Sequence, residues 1–175
     1  MDNASGALKS LGVLAASWLT VLASHEAGHA LAGKLFYNNP INIHLAPNPN
    51  FNVTDPVLYK IGPFSFHGIP LFGAIPGVSI TGPATKKQAI IDSLKMIAID
   101  SAGPLLGAVA GLLFNTSLNT LGIATQIPLC VSMLNLANLI PINTEGFISD
   151  GYSILQNIKH IKYLLTAHKT VYDIK

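Results

Sequence analysis

The chain has 175 residues, enough for one domain, and its ten basic residues, all lysine, exceed its eight acids by a net charge of +2. Only 10% of the residues are charged while 50% belong to the set AVILMFWYC; about 25% charged is ordinary for a soluble domain. This composition argues against a well-wetted soluble surface and against a basic nucleic-acid interface. The single cysteine, Cys130, excludes an internal disulfide and a cysteine-based zinc knuckle.

Three stretches have the twenty or so residues needed to cross roughly 30 Å of hydrocarbon at 1.5 Å per residue. They are residues 11–36, 96–118 and 120–141. The first contains HEAGH and has no basic n-region with a cleavage site ahead of it, so a removed signal peptide is not expected. The following loop, 37–95, contains INIHLA (41–46) and a run over 57–80 that alternates and is punctuated by Gly and Pro. These features predict two to four short strands at the membrane surface. On the second stretch Gly103, Gly107 and Gly111 recur at intervals of four, a spacing that lets helix backbones approach closely.

On the third, Ser132, Asn135 and Asn138 form a polar stripe, fitted either to a water path or to helix–helix hydrogen bonds. In the tail, 152–175, Ile154, Leu155, Ile158, Ile161 and Leu165 fall near helical spacing with Lys and His between them, which predicts an amphipathic interfacial helix. Lys60, Lys86, Lys87 and Lys95 in the loop, and Lys159, Lys162, Lys169 and Lys175 in the tail, stand against Lys9 at the N-terminus. The positive-inside rule then puts the N-terminus outside and the loop and tail in the cytoplasm. The expected fold is a single membrane all-α domain over 1–175. It has three transmembrane helices, a small cytoplasmic-side β element and a C-terminal amphipathic helix.

The chemistry is concentrated in His25, Glu26 and His29, an H-E-x-x-H pattern on an expected helix. Histidines at i and i+4 share one face and can bind a single zinc ion. Glu26, turned about 100° from His25, can take a proton from water activated by the metal without itself being a ligand. Three polar residues inside an apolar span are costly, which favours function over chance. A catalytic zinc normally has a third protein ligand; the candidates are Asp100, Glu145, Asp150, His44 and His67. Asp150 opens an Asp-Gly pair after Pro141, where the helix should break and the chain can return to the site.

HEAGH (25–29) together with NLIPINTEGFISDG (138–151) resembles the site-2 protease family of intramembrane metalloproteases, and Ala102-Gly103-Pro104 is similar to that family's middle-span pattern. The resemblance covers roughly 11–152. It implies that His25, His29 and Asp150 hold Zn2+, that Glu26 is the general base, and that Asn138 lies beside the scissile peptide and helps to hold its carbonyl. It also implies a transmembrane or membrane-anchored protein substrate, cleaved near the cytoplasmic face of a prokaryotic membrane. The chain departs from the family at three points. Eight residues, more than usual, separate Pro141 from Asp150; Gly107 stands where many relatives have Asn; and no PDZ-like domain is visible. By depth, Asp100 fits an acceptor for a ligand's N–H, an alternative ligand, or an interfacial acid near Lys95. His44, His67, His160 and His168 read as interfacial or solvated, and Glu145 as an exposed turn residue. The rival reading is a noncatalytic membrane scaffold or zinc-binding protein.

Overall fold

In a computed structural model, which describes residues 2–37, 41–45, 59–61, 64–66, 74–77, 85–144 and 147–166, the long apolar runs are helices. Helix α1 spans Asp2–Phe36, uninterrupted by proline, and starts well before the expected residue 11. Helix α2 spans Lys86–Thr120 and includes all of 96–118. Its start is fixed by Thr85, whose side chain accepts the Gln88 N–H at 3.1 Å and so satisfies one of the free donors of the first turn. Pro104 sits inside α2 and deprives the Asp100 carbonyl of its usual helical donor, a defect tolerated where neighbouring helices pack closely. Two helical segments, Gly6–Phe36 and Lys86–Thr120, are long and apolar enough to cross a membrane.

The third expected stretch, 120–141, is shorter as a helix. Helix α3 covers Ile127–Leu136 and continues as a 3-10 turn over Ala137–Leu139. Two residues explain the difference. Gly122 takes a φ of 77°, ending the run of α2, and Pro128 lies in the first turn of α3, where its missing N–H costs nothing but bars an upstream extension. Helix α4, Asp150–Thr166, begins two residues before the expected tail helix.

The loop forms a small sheet of β1 (Ile41–Leu45), β2 (Tyr59–Ile61), β3 (Phe64–Phe66) and β4 (Ala74–Gly77), in the order β2-β3-β1-β4. Strand β1 runs parallel to β3, with Ile41 opposite Phe64, and antiparallel to β4, with His44 opposite Ile75. A second, two-stranded sheet pairs β5 (Asn143–Thr144) with β6 (Phe147–Ile148). The sequence candidates His67, Glu145 and His168 lie outside the described residues, and His44 is described only by its backbone place in β1.

The glycine stripe of α2 is the seam on which the other helices meet. A Cβ on Gly28 of α1 would run into the backbone of Ala102, so α1 and α2 touch main chain to main chain. Gly103 faces the His29 ring, Gly107 faces the Asn135 amide and the Val21 carbonyl, and Gly111 faces Ser132 and Val21. Glycines at this spacing let the helix backbones approach closely and make room for the polar side chains between them. Helix α4 lies against α2: Ser153 Oγ donates to Asp100 Oδ2 at 2.5 Å, and Ser93 hydrogen-bonds with His160 at 3.2 Å. Leu164 is buried at this contact's far end, while Ile158, Tyr163 and Leu165 are exposed beside Lys159 and Lys162.

Candidate metal centre

One turn of α1 separates His25 from His29, so their imidazoles rise from the same face and point into the seam between α1 and α2. Both are buried, with 6% and 3% of their surface exposed. Their Nε2 atoms lie 2.9 Å apart, and the Asp150 carboxylate straddles them, Oδ2 at 3.3 Å from His25 Nε2 and Oδ1 at 3.5 Å from His29 Nε2. Ligand atoms on a tetrahedral zinc, with bonds of about 2.0–2.1 Å, are separated by about 3.3 Å. The three separations, two of them to different oxygens of the carboxylate, bracket that value. Two imidazoles and a carboxylate are also a donor set that catalytic zinc sites use, leaving a fourth position open.

The tautomers strengthen the fit. His25 Nδ1 is 2.7 Å from Asn135 Oδ1 and His29 Nδ1 is 2.8 Å from the Ile99 carbonyl oxygen. Both partners accept only, so each Nδ1 carries a hydrogen, and each ring in its neutral form presents a bare Nε2. Two bare nitrogens at 2.9 Å repel one another unless positive charge lies between them. A metal ion supplies it, as does a proton shared with Asp150, and neither disturbs the Nδ1 bonds.

Asp150 reaches the centre because the chain reverses after α3. The residues between Pro141 and Asp150 fold back on themselves through the β5–β6 pairing, with Asn143 opposite Ile148, so a long spacing still brings the carboxylate home. Buried Ser149 ties this turn together: its hydroxyl donates to the Ile140 carbonyl at 2.7 Å and accepts the Ile142 and Tyr152 N–H groups at 2.9 and 3.2 Å. The Tyr152 bond makes Ser149 the N-cap of α4. Gly151 is required next, because a Cβ there would meet the Leu139 carbonyl. Where a proton rather than a metal lies between the rings, burial alone would raise the Asp150 carboxyl, but hydrogen bonds from the histidines and their charge hold it below the ordinary carboxylate range.

Of the residues singled out in the sequence, His25, His29 and Asp150 form the only group of potential ligands close enough to share an ion among the described residues. Glu26 is buried, 7% exposed, on the same turn of α1 as the histidines. Asn138 donates from Nδ2 to Asp150 Oδ2 at 2.5 Å, while its Oδ1 is buried with no hydrogen bond. Asp100 is buried next to the centre but outside the group: the N–H of His29 goes to the carbonyl of neighbouring Ile99, and Asp100 itself is taken by Ser153. Sequence reasoning missed the roles of Ser149 and Gly151. A serine directly ahead of an Asp-Gly helix start is a readable N-cap signal, whereas the Ile99 carbonyl carries no sequence signal at all. Comparison with family models, curated proteins and solved structures finds no match to this chain.

Gly103 offers a steric test of the centre. A Cβ at this position would fall within the His29 ring, so Gly103→Ala must expel the imidazole or part α1 from α2. Overpacking of this kind costs about 1–3 kcal/mol. The variant is expected to lose most of its zinc in a chelator competition, whereas Gly12→Ala, in open space on α1, should bind as the parent does. Equal zinc affinity in the two variants would mean that His29 does not sit where the metal binds.

Proposed function

We propose that the chain is a zinc-dependent intramembrane endopeptidase of the site-2 protease type, cleaving membrane-embedded or membrane-proximal protein segments. The observation that carries this reading is the buried His25–His29–Asp150 triangle, with both Nε2 atoms bare and an H-E-x-x-H glutamate beside it, between helices able to cross a membrane. His25, His29 and Asp150 would hold the ion. When bound, zinc would polarise a carbonyl and bring the pKa of its water down to about 7. Glu26 takes the proton released by the attacking water and passes it to the leaving amine. Asn138, anchored on Asp150, holds the substrate backbone alongside. A helical substrate must unwind before its carbonyls are open to attack, and the loop strands offer edges on which an extended segment can pair.

In this reading α1, α2 and α3 are three spans. The thirteen residues of α3 and its 3-10 turn, Ile127–Leu139, reach only about 20 Å, and the non-helical residues on either side complete the crossing. The N-terminus is then outside and the loop and C-terminus cytoplasmic, which puts the centre near the cytoplasmic face. Single-cysteine labelling in a Cys130→Ser background is expected to protect loop positions from an impermeant outside reagent in intact cells, and to expose a cysteine placed near residue 6. Outside labelling of the loop reverses the topology.

The function itself is tested on the purified full chain in detergent, by zinc content and by cleavage of a panel of single-span substrates. About one zinc per chain with cleavage of at least one substrate supports the proposal. Zinc without cleavage of any of them, in a panel that a known intramembrane protease does cut, favours a noncatalytic zinc-binding protein. Absence of zinc after loading removes the metal reading.

A further inference from the structure

We propose that Asn135 is a positioning residue of the metal centre, holding His25 in the tautomer and orientation that zinc binding needs, with Gly107 as its socket. The inference rests on the zinc reading of the site and adds a part to it.

The two histidines are oriented by different means. His29 donates to a main-chain carbonyl, that of Ile99, which no side-chain replacement removes. His25 depends on a side chain from another helix: its Nδ1 lies 2.7 Å from Asn135 Oδ1, across 110 residues of sequence. The direction of the Asn135 amide follows from its other end, because Nδ2 donates to the Pro104 carbonyl at 2.7 Å. Reversing the amide would set oxygen against oxygen at Pro104, so that carbonyl selects the orientation. The acceptor therefore faces Nδ1, the hydrogen stays on Nδ1, and Nε2 remains bare toward His29 and Asp150.

Room for this arrangement comes from α2. A Cβ on Gly107 would lie 2.6 Å from Asn135 Nδ2 and 3.0 Å from the Val21 carbonyl oxygen. The amide thus occupies space that any other residue at position 107 would fill. It bridges three helices, binding His25 of α1 and the main chain of α2 from its own place on α3. Partners that fix the ring of a ligating histidine are typically worth 10–100-fold in metal affinity. Ser132, one turn earlier on the same stripe, shows the contrast: its hydroxyl donates to the Pro128 carbonyl of its own helix at 2.8 Å and fills the space at Gly111, a packing role.

The test is Zn2+ affinity of the full chain in detergent, measured against a chromophoric chelator, with Co2+ absorption as the signature of ligand geometry. Asn135→Ala is expected to weaken zinc about 10–100-fold and to alter the Co2+ bands. Asn135→Asp keeps the acceptor for His25 but loses the donor to Pro104, and is expected to restore affinity to within about tenfold of the parent. Gly107→Ala leaves Asn135 in the sequence but displaces its amide, and should weaken zinc in the same direction. Ser132→Ala should leave zinc affinity and Co2+ bands unchanged. Parent-like zinc binding in both Asn135→Ala and Gly107→Ala overturns the role of Asn135 while leaving the metal centre intact. A loss in Asn135→Ala that Asn135→Asp does not repair reduces Asn135 to helix packing and also overturns it. A parent chain that binds no zinc overturns the centre itself.

Discussion

If the chain is the zinc endopeptidase proposed above, Glu26→Gln is expected to retain about one zinc per chain and the parent's helical content, while cleavage of a single-span substrate falls by about 10²–10⁴. The amide is nearly isosteric with the carboxylate, so the buried place of Glu26 on α1 is kept. What disappears is the ability to accept a proton from the attacking water and return it to the leaving amine. Zinc is untouched because Glu26 does not belong to the His25–His29–Asp150 group. Metal content and cleavage rate, measured on the same preparation, separate the two effects. Turnover near the parent's would remove Glu26 from the role of base, and simultaneous loss of zinc would show that it supports the ligands instead.

Asp150→Ala should have the largest effect on the metal. On the proposed reading it removes one of three ligands, and it leaves Asn138 facing an empty space, since Nδ2 has Asp150 Oδ2 as its partner. Two histidines alone hold zinc weakly, so occupancy after dialysis against a chelator is expected to fall to near zero, with loss of cleavage. Asp100→Asn is the matched comparison. Asp100 is buried at a similar depth, yet its Oδ2 accepts from Ser153, a bond the Asn oxygen can also accept. Zinc should therefore stay close to the parent level in Asp100→Asn, with a loosened α2–α4 contact as the main cost. The reverse pattern, zinc kept without Asp150 and lost without Asp100, would transfer the third ligand position to α2.

The same pair of acids shows where sequence reasoning stops. Depth along the helices placed Asp100 and His29 near one another, and that is correct to within a residue: the acceptor for His29 is the carbonyl of Ile99. Periodicity can assign a face and a depth, but it cannot tell a main-chain oxygen from the carboxylate of the next residue. The polar stripe Ser132–Asn135–Asn138 was equally legible as a stripe. Its three members nevertheless do three different things, bonding to their own helix, to His25 and to Asp150 respectively. The third helix was overextended because average apolarity over 120–141 outweighed two local signals, the left-handed Gly122 and the helix-starting Pro128.

By itself the sequence determined what depends on local spacing. The i,i+4 rise of a helix puts His25 and His29 on one face, a period of four aligns Gly103, Gly107 and Gly111, and a low charge content with long apolar runs makes two helices long enough for a membrane. Only the tertiary structure decided which of the candidate acids joins the histidines, because that choice depends on a chain reversal through β5, β6 and Ser149 that no periodicity encodes. It also decided which nitrogen of each ring faces an acceptor. A tautomer is set by the acceptor opposite each Nδ1, and those acceptors, on Ile99 and Asn135, come from helices distant in the chain that close packing on glycine brings within 3 Å.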